Sequence, residues 1–133
     1  METKTDKTGF HEKLHALLNS FVHAVYDATA SFPKDEMFGV TSQLRRAALS
    51  VALNYIEGYA RQQRAENKHF LEISYGSLKE AAYLIKFSSE RRFLSIPECE
   101  KLLMMAGEAG AMLWATIQGM KEDIQRSGKM RAS

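Results

Sequence analysis

Apolar side chains recur at every third or fourth position along most of the chain, which is the spacing of one face of an α-helix. Four stretches show this spacing, at about residues 10–31, 41–60, 65–92 and 95–126. Phe32-Pro33 separates the first two, because the residue before a proline is disfavoured in the α-helical region. Ser95 and Glu98 form a capping-box pattern that predicts the start of the fourth helix. No run of β-branched residues alternates with polar ones, so the pattern predicts helices alone.

Helices of this length with short connections predict one all-α domain, an antiparallel up-down-up-down four-helix bundle over residues 9–126. A chain of 133 residues can form an ordinary core without a metal or a disulfide. Thr41 is the predicted N-cap of the second helix. The polar segments 1–8 and 127–133 are predicted to be disordered.

The second helix has more apolar faces than one small bundle can cover. The face that we expect in the core comprises Leu44, Ala48, Val51 and Tyr55. A second face comprises Leu49, Leu53 and Ile56. On the fourth helix, Leu103 and Trp114 lie beside two glycines, which fits a shallow groove within the chain or a contact with another subunit. Surplus apolar faces in a short chain indicate a homo-oligomer, so the predicted interface comprises Leu49, Leu53, Ile56, Leu103 and Trp114.

A polar stripe also runs along the second helix. Its members, at steps of four, four, three and four, are Arg46, Ser50, Asn54, Glu57 and Arg61. The stripe could be a ligand or RNA phosphate site that uses Arg45 and Arg46. We favour a structural network of Arg46, Ser50, Asn54 and Glu57, joined by Glu80 of the third helix, because buried charges persist only when paired. If that network is buried, Glu57→Ala should destabilise the protein by about 3–5 kcal/mol.

Composition and charge exclude few functions. Hydrophobic residues make up 45% and charged residues 26% of the chain, which is typical of a globular domain rather than a disordered or membrane protein. The formal net charge of +2 is too small to indicate a nucleic-acid partner by itself. One cysteine and the absence of a signal-like apolar segment in residues 1–9 predict a cytoplasmic protein. No stretch approaches the roughly 18 apolar residues of a transmembrane helix.

Candidate catalytic and metal-binding residues are few. His11 and His15 are four residues apart and could share a metal, but His23 falls on another side of the helix and no other ligand has matching spacing. Cys99 lies near a predicted helix start, but the glutamates on either side disfavour a thiolate. No nucleophile with a base, phosphate-binding glycine loop or spaced carboxylate pair is found. We therefore expect no enzyme activity, no metal and no cofactor.

The central part of the chain resembles a known family. The segment FPKDEMFGVTSQLRRAALSVALNYIEGYAR and the later FLEISYGSLKEAAYLI are similar to bacterial four-helix-bundle proteins encoded by intervening sequences of 23S rRNA genes. The resemblance covers about residues 32–85, and its matching positions are Phe32, Pro33, Glu36, Gly39, Gln43, Arg45, Arg46, Ala47, Ser50, Asn54, Glu57, Gly58, Phe70, Leu71, Gly76, Ser77 and Glu80. It departs at Val40, Leu53 and Tyr55, where the family pattern has leucine, serine and isoleucine.

This resemblance implies a bundle that assembles into a cyclic homopentamer, and it supplies no catalytic residues. A distant relative is the accessory protein of diversity-generating retroelements, which binds nucleic acid and a reverse transcriptase. The resemblance therefore implies that the protein associates with RNA or a nucleoprotein.

Basic residues collect at the end of the predicted bundle that holds the second loop and both termini. Acidic residues nearly balance them in one subunit, so a single chain has no basic patch there. A ring would repeat Arg61, Arg64 and Lys68 around one rim, and repeated weak sites gain affinity through avidity. We predict that these three residues contact RNA phosphates. The alternative is a protein-binding adaptor without a nucleic-acid role, which would use the apolar surface around Leu103 and Trp114.

Overall fold

Helices account for nearly the whole chain in the computed structural model, which describes the backbone of residues 2–132 and the side chains of residues 9–131. The helices are α1 (Glu2–Thr29), α2 (Val40–Ala60), α3 (Arg64–Glu90) and α4 (Ile96–Ala132). A short 3-10 helix, Lys34–Glu36, lies between α1 and α2, and the described backbone contains no strand. The structure confirms the predicted all-α four-helix bundle.

Each helix packs against the next one along the chain, and α1 also packs against α4. The pair α3 and α4 shows the relative direction of neighbours. Tyr75 contacts Trp114, whereas Arg64, nearer the start of α3, contacts Asp123, nearer the end of α4. These two helices therefore run antiparallel, as short connections require.

The core lies between the four helices and is made of aliphatic and aromatic side chains. Its most completely buried large members are Leu14, Leu18, Phe21, Val25, Leu44, Val51, Leu71, Leu78, Ile85 and Leu113. The predicted inner face of α2 is confirmed, because all four of its residues are buried. Tyr55 from that face donates a hydrogen bond to the backbone oxygen of His11 at 3.4 Å. Burial raises the pKa of Tyr55 to about 12.

The start of α2 differs from the prediction. The helix begins at Val40, and its N-cap is Gly39 rather than Thr41. The Val40 N–H donates to Oε1 of Glu36 at 3.3 Å, so a glutamate four residues earlier satisfies this helix end. A Cβ on Gly39 would lie 2.8 Å from the same oxygen. Glycine at position 39 therefore leaves room for the capping carboxylate, a role that helix-start rules based on Ser and Thr do not reveal.

The start of α4 agrees with the prediction. The Ser95 N–H donates to Glu98 Oε1 at 3.1 Å, and the Glu98 N–H donates to Ser95 Oγ at 3.2 Å. Together these bonds form the reciprocal capping box. Arg92, just after the end of α3, has a φ of 65°, the left-handed conformation that commonly ends a helix.

The outer helices extend further than the sequence predicts. Helix α1 begins at Glu2 and α4 continues to Ala132, so helical backbone covers most of the segments 1–8 and 127–133 that are predicted to be disordered. Met1 and Ser133 lie outside the described residues, and the order of both ends in solution stays a prediction. None of the helices in the described part of the chain is both long and apolar enough to cross a bilayer.

Candidate interaction surfaces

The predicted phosphate contacts lie where α2 connects to α3, and each is already paired with a carboxylate. The partners are Glu57 for Arg61, Asp123 for Arg64 at 3.5 Å and Glu72 for Lys68 at 3.1 Å. Ion pairs at solvent-exposed positions contribute only about 0–1 kcal/mol, so a phosphate can compete with these carboxylates. The three cations are therefore available to an anionic ligand, but they do not form a patch of net positive charge.

Part of the polar stripe of α2 forms a tie between α2 and α3. The hydroxyl oxygens of Ser50 and Ser77 lie 2.7 Å apart, and the Asn54 amide donates to Ser50 Oγ at 3.0 Å. One turn away, the buried Ser74 hydroxyl donates to the backbone oxygen of Val51 at 2.6 Å. Neither Ser74 nor Ser77 of α3 is among the predicted partners of the stripe. Small polar residues within an apolar face of a helix were the available indication.

The rest of the predicted network is not formed. Arg46 and Glu80 are both exposed, and within residues 9–131 neither takes part in an ion pair. Glu57 pairs on the surface with Arg61, one turn later on the same helix. The prediction of a buried network that joins Arg46, Glu57 and Glu80 is therefore wrong for the single chain, because these side chains project outward beside the seam between α2 and α3.

This geometry lowers the expected cost of removing Glu57. Its side chain is 45% exposed and its partner is exposed to a similar degree, so the pair is screened by water. Glu57→Ala should reduce the free energy of unfolding by about 0.5 kcal/mol, and not by 3–5 kcal/mol. Urea unfolding followed by circular dichroism measures the difference. A loss of about 3 kcal/mol would instead show that the pair of Glu57 and Arg61 is buried, for example by another subunit.

Arg45, rather than Arg46, is the arginine that holds the bundle together. Its Nε donates to Thr29 Oγ1 at 2.8 Å, and its guanidinium carbon lies 4.6 Å from the centroid of the Tyr26 ring. Thr29 is buried and in turn donates to the backbone oxygen of Val25 at 2.8 Å. Arg45 thus joins α2 to the last turn of α1. A positive charge near the C-terminal end of a helix is also stabilising, because it interacts with the partial negative charge of the last carbonyl groups.

Two neighbouring arginines give a matched test of this role. Arg45→Ala should lower the free energy of unfolding by about 1–3 kcal/mol, because it leaves a buried hydroxyl without its donor and removes a ring contact. Arg46→Ala should change it by less than about 0.5 kcal/mol. Both values come from urea titrations of the two variants. Equal losses would show that the contact with Thr29 contributes nothing specific.

Three large apolar side chains of α2 are exposed in the single chain. The exposed fractions are 36% for Leu49, 61% for Leu53 and 48% for Ile56. Their spacing of four and three residues places them in one line along about two turns of helix. We call this line the α2 ridge. Single exposed apolar residues are common, whereas a continuous line of them is typical of an interface.

Leu103 and Trp114 lie on a different surface from the α2 ridge. Both line an open groove of about 540 Å³ between α3 and α4, which we call the α3–α4 groove. The rings of Tyr75 and Trp114 lie 5.5 Å apart in this groove. The predicted oligomer interface therefore divides into two separate surfaces, the α2 ridge and the α3–α4 groove. The groove is also lined by two aromatic and two lysine side chains.

The two histidines four residues apart lie beside tyrosine rings, and the single cysteine is buried. The Tyr59 hydroxyl lies 2.7 Å from His11 Nε2, and the two rings are 4.5 Å apart. His15 lies 6.4 Å from the Tyr55 ring. Cys99 is buried and forms no disulfide. Among the described residues, no group of three histidine, cysteine or carboxylate side chains is placed to hold a metal ion.

Comparison with known families decides where the chain belongs. The family described as 23S rRNA-intervening sequence protein matches residues 16–115, which is most of the chain. The chain belongs to this family. No curated protein matches it. A crystal structure of a protein of unknown function from the S23 ribosomal protein family of Bacteroides thetaiotaomicron has the same fold, with a TM-score of 0.76 over 82% of this chain and 98% of that one. At 16% identity, that similarity shows the fold alone.

Several residues behind the resemblance to 23S rRNA-intervening sequence proteins build the bundle. Glu36 and Gly39 form the start of α2, Arg45 joins α1 to α2, and Ser50 with Ser77 joins α2 to α3. The family match also contains the α2 ridge and the α3–α4 groove. The matching residues thus explain the shared fold, whereas the two surfaces are the places to look for partners.

Proposed function

We propose that this member of the 23S rRNA-intervening sequence protein family is a cytoplasmic, non-enzymatic homo-oligomer that serves as a binding scaffold for RNA or a nucleoprotein. The expected assembly is a pentamer. The observation that carries the proposal is the α2 ridge, a line of exposed leucine and isoleucine side chains on an otherwise well-packed bundle.

Self-association explains why these side chains are exposed in the single chain. Each buried leucine or isoleucine gains roughly 1.5–3 kcal/mol by leaving water, so the ridge provides a driving force for covering it. A second copy of the chain is the occupant that the family resemblance supports. Because Leu103 and Trp114 lie on a different surface, the proposed subunit interface comprises the α2 ridge alone.

The RNA part of the proposal rests on the family description, which refers to an intervening sequence of rRNA, and on the cations at the α2–α3 connection. Arg61, Arg64 and Lys68 are held by exposed carboxylates that a phosphate can displace. An assembly presents this cluster once per subunit, and several weak contacts to one RNA add through avidity.

A gel shift with a transcript of a 23S rRNA intervening sequence tests this proposal. Binding should appear at about 50 mM salt and weaken steeply by about 200 mM, because each phosphate contact releases counterions.

The triple variant Arg61→Gln, Arg64→Gln and Lys68→Gln should bind more weakly than the wild type. A matched triple variant at the opposite end of the bundle, Lys34→Gln, Arg91→Gln and Lys101→Gln, removes the same charge and should bind normally. Binding that is absent at low salt, or independent of salt, contradicts the proposal.

A further inference from the structure

The α3–α4 groove combines basic and aromatic side chains in a way that the bundle itself does not require. Lys79 and Lys86 of α3 line it, and no carboxylate is found among the described residues of its lining. The Lys79 ammonium lies 5.2 Å from the centroid of the Tyr75 ring, and Tyr75 in turn contacts Trp114. The groove therefore offers two rings with two positive charges beside them.

The groove is open, and two glycines of α4 line it. Trp114, the one tryptophan of the chain, has an exposed fraction of 51%. A Cβ on Gly107 would meet nothing within 4 Å, and a Cβ on Gly110 would make only ordinary contact with Leu78 at 3.5 Å. Packing within the chain therefore does not require glycine at position 107. Glycine is a poor helix former, so its presence there lowers the stability of the helix. The missing side chain leaves space for a ligand in the groove, about two helical turns before Trp114.

We infer that the α3–α4 groove binds an unpaired, single-stranded segment of RNA, with bases stacked on Tyr75 and Trp114 and phosphates beside Lys79 and Lys86. This inference rests on the proposed RNA-binding function and adds a site away from the predicted phosphate contacts. Rings that stack bases, next to cations that follow the backbone, are the combination by which proteins bind single strands without reading a sequence. In a duplex the bases are already stacked on each other, so duplex RNA gains nothing from these rings.

The spacing of the lysines agrees with a polynucleotide. Seven residues separate Lys79 from Lys86, which is about 10 Å along a helix that rises ~1.5 Å per residue. Stacked nucleotides rise about 3.4 Å each, so the distance between the two lysine positions along the helix matches about three nucleotides. Lys68, Tyr75, Lys79 and Lys86 follow each other at steps of seven, four and seven on one face of α3. A strand that extends from the groove along this face reaches Lys68, where its phosphates must displace Glu72, the carboxylate that pairs with Lys68 on the same face.

Intrinsic fluorescence gives a direct test in the unmodified protein, because Trp114 is the single tryptophan. The probe is a labelled oligoribonucleotide of about twelve nucleotides without self-complementarity, compared with a duplex of equal length. The single strand should quench Trp114 emission and bind more tightly than the duplex by fluorescence anisotropy. RNA binding that leaves the Trp114 emission unchanged would overturn the groove as the site.

Substitutions complete the test. Trp114→Ala should weaken binding of the single strand about tenfold, whereas Phe38→Ala, which removes an exposed ring in the connection between α1 and α2, should not. The pair Lys79→Gln and Lys86→Gln should reduce the slope of log affinity against log salt by about 1.4, since each phosphate contact on a single strand contributes about 0.7. The matched pair Lys34→Gln and Lys101→Gln should leave that slope unchanged.

Other results would overturn the inference in distinguishable ways. If Trp114→Ala dissociates the oligomer in light scattering, the groove is covered by a second copy and does not hold RNA. If an acidic helical peptide quenches Trp114 and RNA does not, the partner is a protein. If the wild type binds RNA but both groove variants bind it equally well, the proposed function stands and the groove is not its site. If the wild type binds no RNA at about 50 mM salt, the proposed function fails together with this site.

Discussion

Glutamate in place of Leu53 is expected to convert the assembled protein into monomers of 15.0 kDa. Leu53 lies at the centre of the α2 ridge and is its most exposed member. In an assembly that covers the ridge, the substitution removes an apolar contact and leaves a carboxylate without a partner in the interface. An unpaired buried charge costs about 3–5 kcal/mol, which weakens each interface by more than about a hundredfold. Light scattering coupled to size exclusion measures the mass directly.

Met104→Glu is the matched control for Leu53→Glu. Met104 is exposed on α4, away from the α2 ridge, so the same negative charge enters a surface that the proposed interface does not use. This variant should keep the mass of the wild-type assembly. Helical circular dichroism of both variants should match the wild type, because neither side chain belongs to the core. A wild type that is already monomeric, or two variants with the same mass, would refute the role of the ridge.

Valine in place of Gly58 is expected to lower the free energy of unfolding by about 3 kcal/mol. Gly58 lies near the end of α2, where α3 packs close to it. A Cβ at this position would lie 3.3 Å from the backbone oxygen of Asn67 and 3.3 Å from Cδ2 of the buried Leu71. The backbone oxygen cannot rotate away, so the two additional methyl groups of valine must push the helices apart. Urea unfolding followed by circular dichroism measures the loss.

Gly76→Val separates close approach from the effect of valine on helix formation. Gly76 is also inside a helix, but a Cβ there would meet nothing within 4 Å. Valine is a better helix former than glycine, so this variant should keep the wild-type stability or gain up to about 0.5 kcal/mol. If both variants lose the same free energy, the loss belongs to the β-branched side chain, and the contact between α2 and α3 at Gly58 is unimportant.

Local features of the bundle follow closely from the sequence. The spacing of Leu44, Val51 and Tyr55 predicts the inner face of α2, because residues three or four apart share one side of a helix. Ser95 and Glu98 predict the start of α4, because a capping box needs only groups three residues apart. In both cases the pattern depends only on the spacing of residues along one segment of the chain, so no knowledge of another helix is needed.

Features that depend on two helices do not follow in the same way. The polar stripe favours Arg46 as the structural arginine, yet successive helical positions point about 100° apart, and Arg45 is the one that meets Thr29 of α1. The four-residue spacing of the polar stripe likewise does not reveal that Ser50 meets Ser77, while Glu57 faces water. Periodicity gives the face of a residue, but not the width of the seam that a neighbouring helix covers.

The sequence by itself determined that this chain forms four helices, where the fourth begins, which residues of α2 enter the core and that apolar residues remain in surplus. Those properties depend on spacing along one helix and on hydrogen bonds between near neighbours. The tertiary structure decided that Arg45 joins two helices. It also decided that Leu103 and Trp114 line a groove with Lys79 and Lys86, on a different surface from the α2 ridge. Such groupings arise from the rotation and separation of packed helices, which follow from the fit of many side chains and are not encoded in any single periodicity.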